Sequence, residues 1–169
     1  KIYNINTPLL PPPLKYFLFG CIPVYFFSHS NTGVMSIDFV FDIGTDGLQS
    51  KLNLGPYFTN SFLTAGTYSF NEMEISNLID SSGSFLSLNH NRQYSTVSLH
   101  TISNSCSSII PVVLDLIINP VYPSHIIDNR LQNKKKLFSI ASTRVTEKAK
   151  MKFKEILYGI NHPYGRPIC

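Results

Sequence analysis

The chain has 169 residues, a net charge of +4 and a hydrophobic fraction of 43%. This length favours a single domain, and the apolar content is sufficient for a core. No segment reaches the ~18 consecutive apolar residues of a transmembrane helix, and residues 16–27 lack the features of a signal peptide. The sequence therefore predicts no transmembrane segment in this chain. A leader removed upstream of Lys1 would allow a bacterial periplasm or an organelle, so the compartment stays open.

The three cysteines are Cys21, Cys106 and Cys169. None of them has the Cys-x-x-Cys or Cys/His spacing of a structural zinc site, and an odd number excludes a full disulfide framework. We therefore interpret them as buried or idle thiols and expect no cofactor bound through them.

Basic residues are concentrated between residues 130 and 154, where only Glu147 interrupts them. Such a run is typical either of a surface that binds nucleic acid or anionic lipid, or of the solvated face of a long helix. The second interpretation is favoured. The aromatic residues between 16 and 27 are interpreted as sheet core rather than as a base-stacking platform, so no nucleic-acid partner is predicted.

In the first third of the chain, residues 1–15 read as an extended N-terminal arm that ends in a proline run. Residues 16–19 and 22–28 are rich in aromatic and β-branched side chains, with Gly20 at the turn between them, and predict a hairpin. Residues 34–43 alternate imperfectly, as in a strand that is buried on both faces for part of its length.

The remaining chain alternates between helical and strand patterns. Helical spacing predicts helices over residues 52–63, 106–118 and 125–150, with a shorter helix to residue 157. The pattern Ser69-x-x-Glu72 predicts a capping box for a further helix that ends near residue 80. Strands are predicted over residues 84–90 and 93–102. This order predicts an α+β layered sandwich, with an antiparallel-rich sheet covered by helices, formed by one domain over residues 16–169.

The predicted helix at residues 52–63 carries a further pattern. The run Tyr57-Phe58-Thr59-Asn60-Ser61, followed by Gly66-Thr67, resembles the signature helix of the M16 (pitrilysin-like) zinc peptidases, H-F-L-E-H followed by G-T. In this alignment Tyr57 occupies the place of the first zinc histidine, Asn60 that of the catalytic Glu, and Ser61 that of the second histidine.

Five further stretches resemble the same family in the same order, within residues 16–168. They lie at residues 20–25, 41–45, 78–84, 119–123 and 158–166, the last containing His162-Pro-Tyr-Gly-Arg. The resemblance implies the M16-type metallohydrolase fold. It also implies that the domain, as the family builds it, continues beyond Cys169.

The third zinc ligand of the family is a Glu on a later helix, and the resemblance places Ser139 at this position. Catalytic zinc needs three protein ligands, for which neutral hydroxyls are poor substitutes. The amide of Asn60 is no general base. The resemblance therefore implies an inactive homologue of a zinc metallopeptidase, without zinc and without another cofactor.

The family works as paired lobes that enclose a chamber, which implies a catalytic M16 subunit or a second M16-like domain as partner of this chain. Substrate adds to an edge strand in that chamber, and strand addition through main-chain hydrogen bonds does not need zinc. The matching peptide-binding residues are Ser84, Phe85, Leu86, Ser87 and Leu88.

Two alternatives remain open. One is a binding module that uses the basic C-terminal stretch without any role in proteolysis. The other is an active hydrolase with an unrecognised site, for which His90 and His100 facing each other across the predicted hairpin are the first candidates. The sequence contains no Gly-x-Ser-x-Gly nucleophile motif.

Overall fold

The structure is a computed structural model that describes residues 12–28, 33–43, 55–91 and 93–165. The chain divides into two compact units, residues 1–33 and residues 34–169. The arm predicted for residues 1–15 lies mostly outside the described residues, although Leu14 and Lys15 already belong to the first strand. None of the helices within these ranges is long and apolar enough to span a bilayer.

The first unit contains the predicted hairpin. Strand β1 (Leu14–Leu18) pairs antiparallel with strand β2 (Ile22–Phe26). Phe19 and Gly20 have φ values of 51° and 73°, and the Cys21 amide donates to the Leu18 carbonyl. Positive φ at both central residues matches the twist of the two strands, which is why a glycine is suited to this turn.

The second unit is built on a three-stranded antiparallel sheet. Its strands are β3 (Val34–Phe41), β4 (Phe85–His90) and β5 (Ser95–Ile102), in the order β3-β5-β4. The central strand, β5, is the most buried of the three because it has a neighbouring strand on each side. Within the described residues, β4 therefore lies at an edge of this sheet.

Three helices pack against this sheet, and the second and third of them contribute the helical residues of the core. They are α1 (Gly55–Ser61), α2 (Glu72–Ser81) and α3 (Cys106–Ile118). Their apolar faces bury Ile75, Ile109 and Val113 together with Val97 and Leu99 of β5. Burying these side chains removes apolar surface from water, which is the main force that holds helices onto a sheet. The predicted α+β layered architecture is confirmed.

The start of α2 differs from the prediction. The capping box is formed by Asn71 and Glu74 rather than by Ser69 and Glu72: the Asn71 side chain accepts from the Glu74 amide at 2.9 Å, and the Glu74 carboxylate accepts from the Asn71 amide at 2.8 Å. The Ser69 amide is instead bound by the Thr67 hydroxyl at 3.1 Å. Because of this local turn, the N-cap of the helix lies two residues later than predicted, and the Glu72 side chain does not take part in the capping box.

The long C-terminal helix breaks earlier than predicted. Helix α4 (Ser124–Thr143) ends at Arg144, whose ψ of 129° is extended, and α5 (Val145–Tyr158) begins directly after it. The hydroxyls of Ser142 and Thr143 each donate to a carbonyl three residues earlier, at 2.7 Å. Such side-chain bonds compete with the helical backbone bonds, which favours a break at this point.

Candidate functional site

Helix α1, which carries the motif that resembles the M16 signature, is joined to the end of the edge strand β4. The Nδ2 of Asn60 donates to the backbone carbonyl of Asn89 at 2.8 Å, and Asn60 is only 6% exposed. The ring of Tyr57 meets the ring of His90 edge-on, with 6.1 Å between centroids. The helix and the strand therefore form one continuous surface at this end of the sheet.

Ser61 is engaged with its own helix. Its hydroxyl donates to the Tyr57 carbonyl one turn earlier, a common bond for serine in a helix. The Ser61 carbonyl accepts from the Nη1 of Arg130 on α4 at 3.0 Å. A cation at the C-terminal end of a helix interacts favourably with the exposed carbonyls there.

Helix α4 reaches α1 through two cations one helical turn apart. The guanidinium of Arg130 also pairs with the carboxylate of Glu72 and lies 5.7 Å from the ring centroid of Phe62. The ammonium of Lys134 lies 4.8 Å from the ring centroid of Tyr57. These are cation–π distances, so α4 contributes positive charge to the surface formed by α1 and β4.

Ser139, predicted at the position of the third ligand, is exposed on α4. Its carbonyl accepts from the Ser142 hydroxyl at 2.7 Å. Among the described residues, no hydrogen bond or ion pair joins Ser139 to Tyr57 or Ser61. Arg130 and Lys134 are residues of α4 that do contact α1.

The side chains that this arrangement offers do not fit a zinc ion. Asn60 and Ser61 direct their hydrogens at backbone carbonyls, and Tyr57 lies beneath an ammonium. Zinc in proteins is held by thiolate, imidazole and carboxylate groups. No group of three or more His, Cys, Asp or Glu side chains with the arrangement of a metal site occurs in the described parts of the chain.

A serine–histidine pair lies next to this surface. The Nδ1 of His90 is 2.8 Å from the Oγ of Ser95, and the Ser95 hydroxyl donates to the Ile43 carbonyl at 3.2 Å. Because the serine proton is used in this way, the Nδ1 of His90 is the donor of the pair. Its Nε2 is buried and has no hydrogen-bond partner among the described residues, and burial lowers the pKa of His90. Ser95 is only 6% exposed and lacks the access that a nucleophile needs.

The hypothesis that His90 and His100 face each other across the hairpin is wrong. The register of β4 and β5 pairs His90 with Ser95 and His100 with Phe85. The two histidines therefore lie at opposite ends of the β4–β5 pair. Because the partner of His100 is an odd number of residues from His90 along β4, the two side chains also lie on opposite faces of the sheet. The ring of His100 stacks on that of Phe85 at 6.3 Å between centroids.

The five residues predicted to bind peptide lie in β4 and at the position directly before it. Phe85, Leu86, Ser87 and Leu88 belong to the edge strand itself, whereas Ser84 precedes it and donates its hydroxyl to the Thr101 Oγ1 at 2.8 Å. Edge strands present unpaired backbone groups to which another strand can add. An open cavity of about 460 Å³ lies at the C-terminal end of β4 and is lined by residues of all three strands, among them Asp38, Asn89 and Ser98, but by none of residues 84–88.

The basic residues of the C-terminal stretch lie along α4 and α5. Lys150 pairs with Glu147 and Lys152 pairs with Glu155, both at 2.8 Å and both one helical turn apart. These exposed pairs belong to the solvated face of α5 and contribute little to stability. By sequence alone, Arg130 and Lys134 belong to the same basic stretch. Their i, i+4 spacing is the signal that could have assigned both to one helix face.

The chain is similar to several solved structures. No protein-family profile and no curated protein matches its sequence. A peptidase M16 inactive domain from Pseudomonas fluorescens superposes with a TM-score of 0.82 over 92% of this chain, at 16% identity. A protease from Helicobacter pylori gives a TM-score of 0.80 over 93% at 12% identity, and the periplasmic protease PqqL from Escherichia coli gives 0.70 over 83% at 12% identity.

The helices packed on an antiparallel sheet define an α+β layered domain. Within this class the chain has the fold of M16 peptidase domains, as the resemblance of its motifs predicts. The chain spans 38% of the length of the Pseudomonas and Helicobacter structures and 16% of the length of PqqL.

Proposed function

We propose that this chain is a non-catalytic M16-like domain in which the zinc site has been lost. The observation that carries the proposal is the bond from Asn60 to Asn89. At the position of the family's catalytic Glu, a buried amide donates to the backbone of β4 at 2.8 Å. A carboxylate is an acceptor and could not make this bond, so the position serves to attach helix to strand.

The proposal extends to peptide binding at β4. Strand addition needs an accessible edge and main-chain groups, neither of which depends on a metal. The residues Phe85 to His90 form such an edge within the described part of the sheet. An extended peptide pairing with β4 would place one of its ends beside Tyr57, because the Tyr57 ring contacts His90 at the end of the strand.

The proposed partner is a catalytic M16 subunit or a second M16-like domain, with which this chain would form a heterodimer. The Pseudomonas structure, described as an inactive M16 domain, is an example of an M16 fold without activity. The partner would supply the zinc and the general base, and this chain would help to hold the substrate.

The loss of the zinc site is tested by elemental mass spectrometry of the purified chain together with a peptide-cleavage assay. We expect metal well below one atom per chain and no cleavage that a chelator abolishes. Zinc near one atom per chain would overturn the proposal, because no described set of ligands accounts for it.

Peptide binding is tested by amide hydrogen exchange. The probe is an octapeptide of alternating Thr and Val, which favours an extended conformation. We expect added peptide to slow exchange in residues 85–90 and to leave β3, the other edge of the described sheet, unchanged. Equal protection of both edges would indicate nonspecific association, and no protection of β4 would refute the proposed site.

A further inference from the structure

We propose that the surface formed by α1, α4 and the end of β4 recognises a carboxylate of the bound peptide through Lys134. This inference rests on the proposed binding of peptide to β4. The carboxylate has two possible sources, an Asp or Glu side chain and the free C-terminus, which share the same chemistry.

The position of Lys134 places its charge near the end of β4. The Lys134 ammonium lies 4.8 Å from the ring centroid of Tyr57, and this ring lies 6.1 Å from the ring of His90. His90 is the last residue of β4. Lys134 is therefore held beside the end of the strand, where a peptide added to β4 begins or ends.

The charge of the groups around Lys134 also favours an anionic ligand. The three ion pairs of the described residues are Arg130–Glu72, Lys150–Glu147 and Lys152–Glu155, so Lys134 has no carboxylate partner among them. Helix α1 and strand β4 contain no acidic residue. Glu72 of the neighbouring helix α2 is already bound by Arg130, and Asp128, the acidic residue of α4, is exposed and lies in none of these ion pairs. The surface therefore carries an uncompensated positive charge.

The limited solvation of the Lys134 ammonium favours the same kind of ligand. The side chain of Lys134 is half-buried, and one side of its ammonium is covered by the half-buried Tyr57 ring. An ammonium has three donors, and an aromatic face satisfies none of them by a normal hydrogen bond. A carboxylate offers charge-assisted hydrogen bonds that are stronger than neutral ones. Among the groups that a peptide can offer, a carboxylate is the best complement.

The experiment measures fluorescence anisotropy of fluorescein-labelled octapeptides of alternating Thr and Val. A single Glu is moved through the eight positions, and each peptide is compared with its Gln counterpart, with an amidated C-terminus. A separate pair without Glu compares the free acid with the amide. The two arms distinguish a side-chain carboxylate from a terminal one.

The variants are Lys134→Gln and the matched control Lys136→Gln, which removes the same charge from an exposed position of the same helix. At low salt we expect the best-placed Glu, or the free acid, to bind roughly fivefold more tightly than its uncharged counterpart. Lys134→Gln should abolish this preference and Lys136→Gln should retain it. Lys134→Arg, which keeps the charge, should retain most of it.

The outcomes separate the two proposals. If peptides protect β4 from hydrogen exchange but Glu and Gln peptides bind equally, the carboxylate proposal fails and the peptide site stands. The same conclusion follows if both Gln variants reduce the preference equally, because general charge would then explain it. If no peptide protects β4, both proposals fail.

Discussion

The side-chain amide of Asn60 donates to the backbone carbonyl of Asn89 and so joins a helix to the edge strand of the sheet. This bond crosses from one element to another, and its donor is almost fully buried. A buried donor that loses its acceptor costs more than an average hydrogen bond contributes. The bond therefore ties the integrity of β4 to the residue that the motif alignment places opposite the catalytic Glu of M16 peptidases.

Replacing Asn60 by Ala should lower the free energy of unfolding by about 1–2 kcal/mol, since the Asn89 carbonyl loses its partner and a small cavity forms. Urea denaturation followed by circular dichroism measures the change. Asn60→Asp should be more damaging at neutral pH, because an acceptor would face an acceptor.

The matched control is Asn89→Ala. Only the backbone carbonyl of Asn89 takes part in the bond, and its exposed side chain donates to the Ser87 hydroxyl at 2.9 Å. This variant should change stability by less than about 0.5 kcal/mol. Equal losses in the two variants would contradict the assigned role of the Asn60 side chain.

Arg130 joins α4 to both α1 and α2, through the Ser61 carbonyl and the Glu72 carboxylate. Arg130→Met should reduce stability by about 1–2 kcal/mol, mainly through the lost bond to the helix end, because Glu72 is 48% exposed and its ion pair is screened. Thermal denaturation of Arg130→Met is compared with that of Arg144→Met, which removes an exposed cation outside any ion pair of the described residues. A double-mutant cycle with Glu72→Gln isolates the ion pair.

The stability should fall as the pH drops from 7.5 to 5. Burial lowers the pKa of His90 in the folded state, so the unfolded chain binds the proton more readily. The contribution of neutral His90 is present above the ordinary histidine pKa of about 6.5 and is lost as the pH falls below that value. Chemical denaturation at several pH values measures the slope. His90→Gln should flatten it, whereas His100→Gln, at an exposed position, should not.

Gly83 ends α2 with a positive φ of 63°, and a Cβ there would lie 3.1 Å from the Cδ1 of Ile102. Gly83→Ala should therefore destabilise the fold by about 1 kcal/mol or more. Gly83→Asn is the informative comparison because asparagine tolerates this backbone conformation. A smaller loss for Asn than for Ala assigns the effect to φ; the reverse order assigns it to crowding against Ile102.

The sequence predicted the elements whose apolar pattern is strong, because such a pattern is contained within the element's own residues. Helix α3 was bounded correctly because its apolar run is long and ends at Asn119-Pro120. The start of α2 was misplaced because Ser69 and Asn71 are both good caps, and only the bond to the Thr67 hydroxyl decides between them.

The residues of the candidate site stay a prediction, and local sequence could indicate only some of them. The motif of α1 identified Tyr57, Asn60 and Ser61 from local sequence. The approach of Arg130 and Lys134 depends on how α4 packs against α1, about seventy residues away in the chain. No local pattern encodes that contact, so these residues were assigned only to a basic stretch.

The composition of β4 has a consequence for handling the protein. Its six residues, Phe-Leu-Ser-Leu-Asn-His, contain no Lys or Pro, and its pairing with β5 contains no bulge. Natural sheets use these features to keep edges of neighbouring molecules apart. A strand without them can pair with the same strand of a second copy, so association of this chain should grow with concentration, and a peptide that occupies β4 should suppress it.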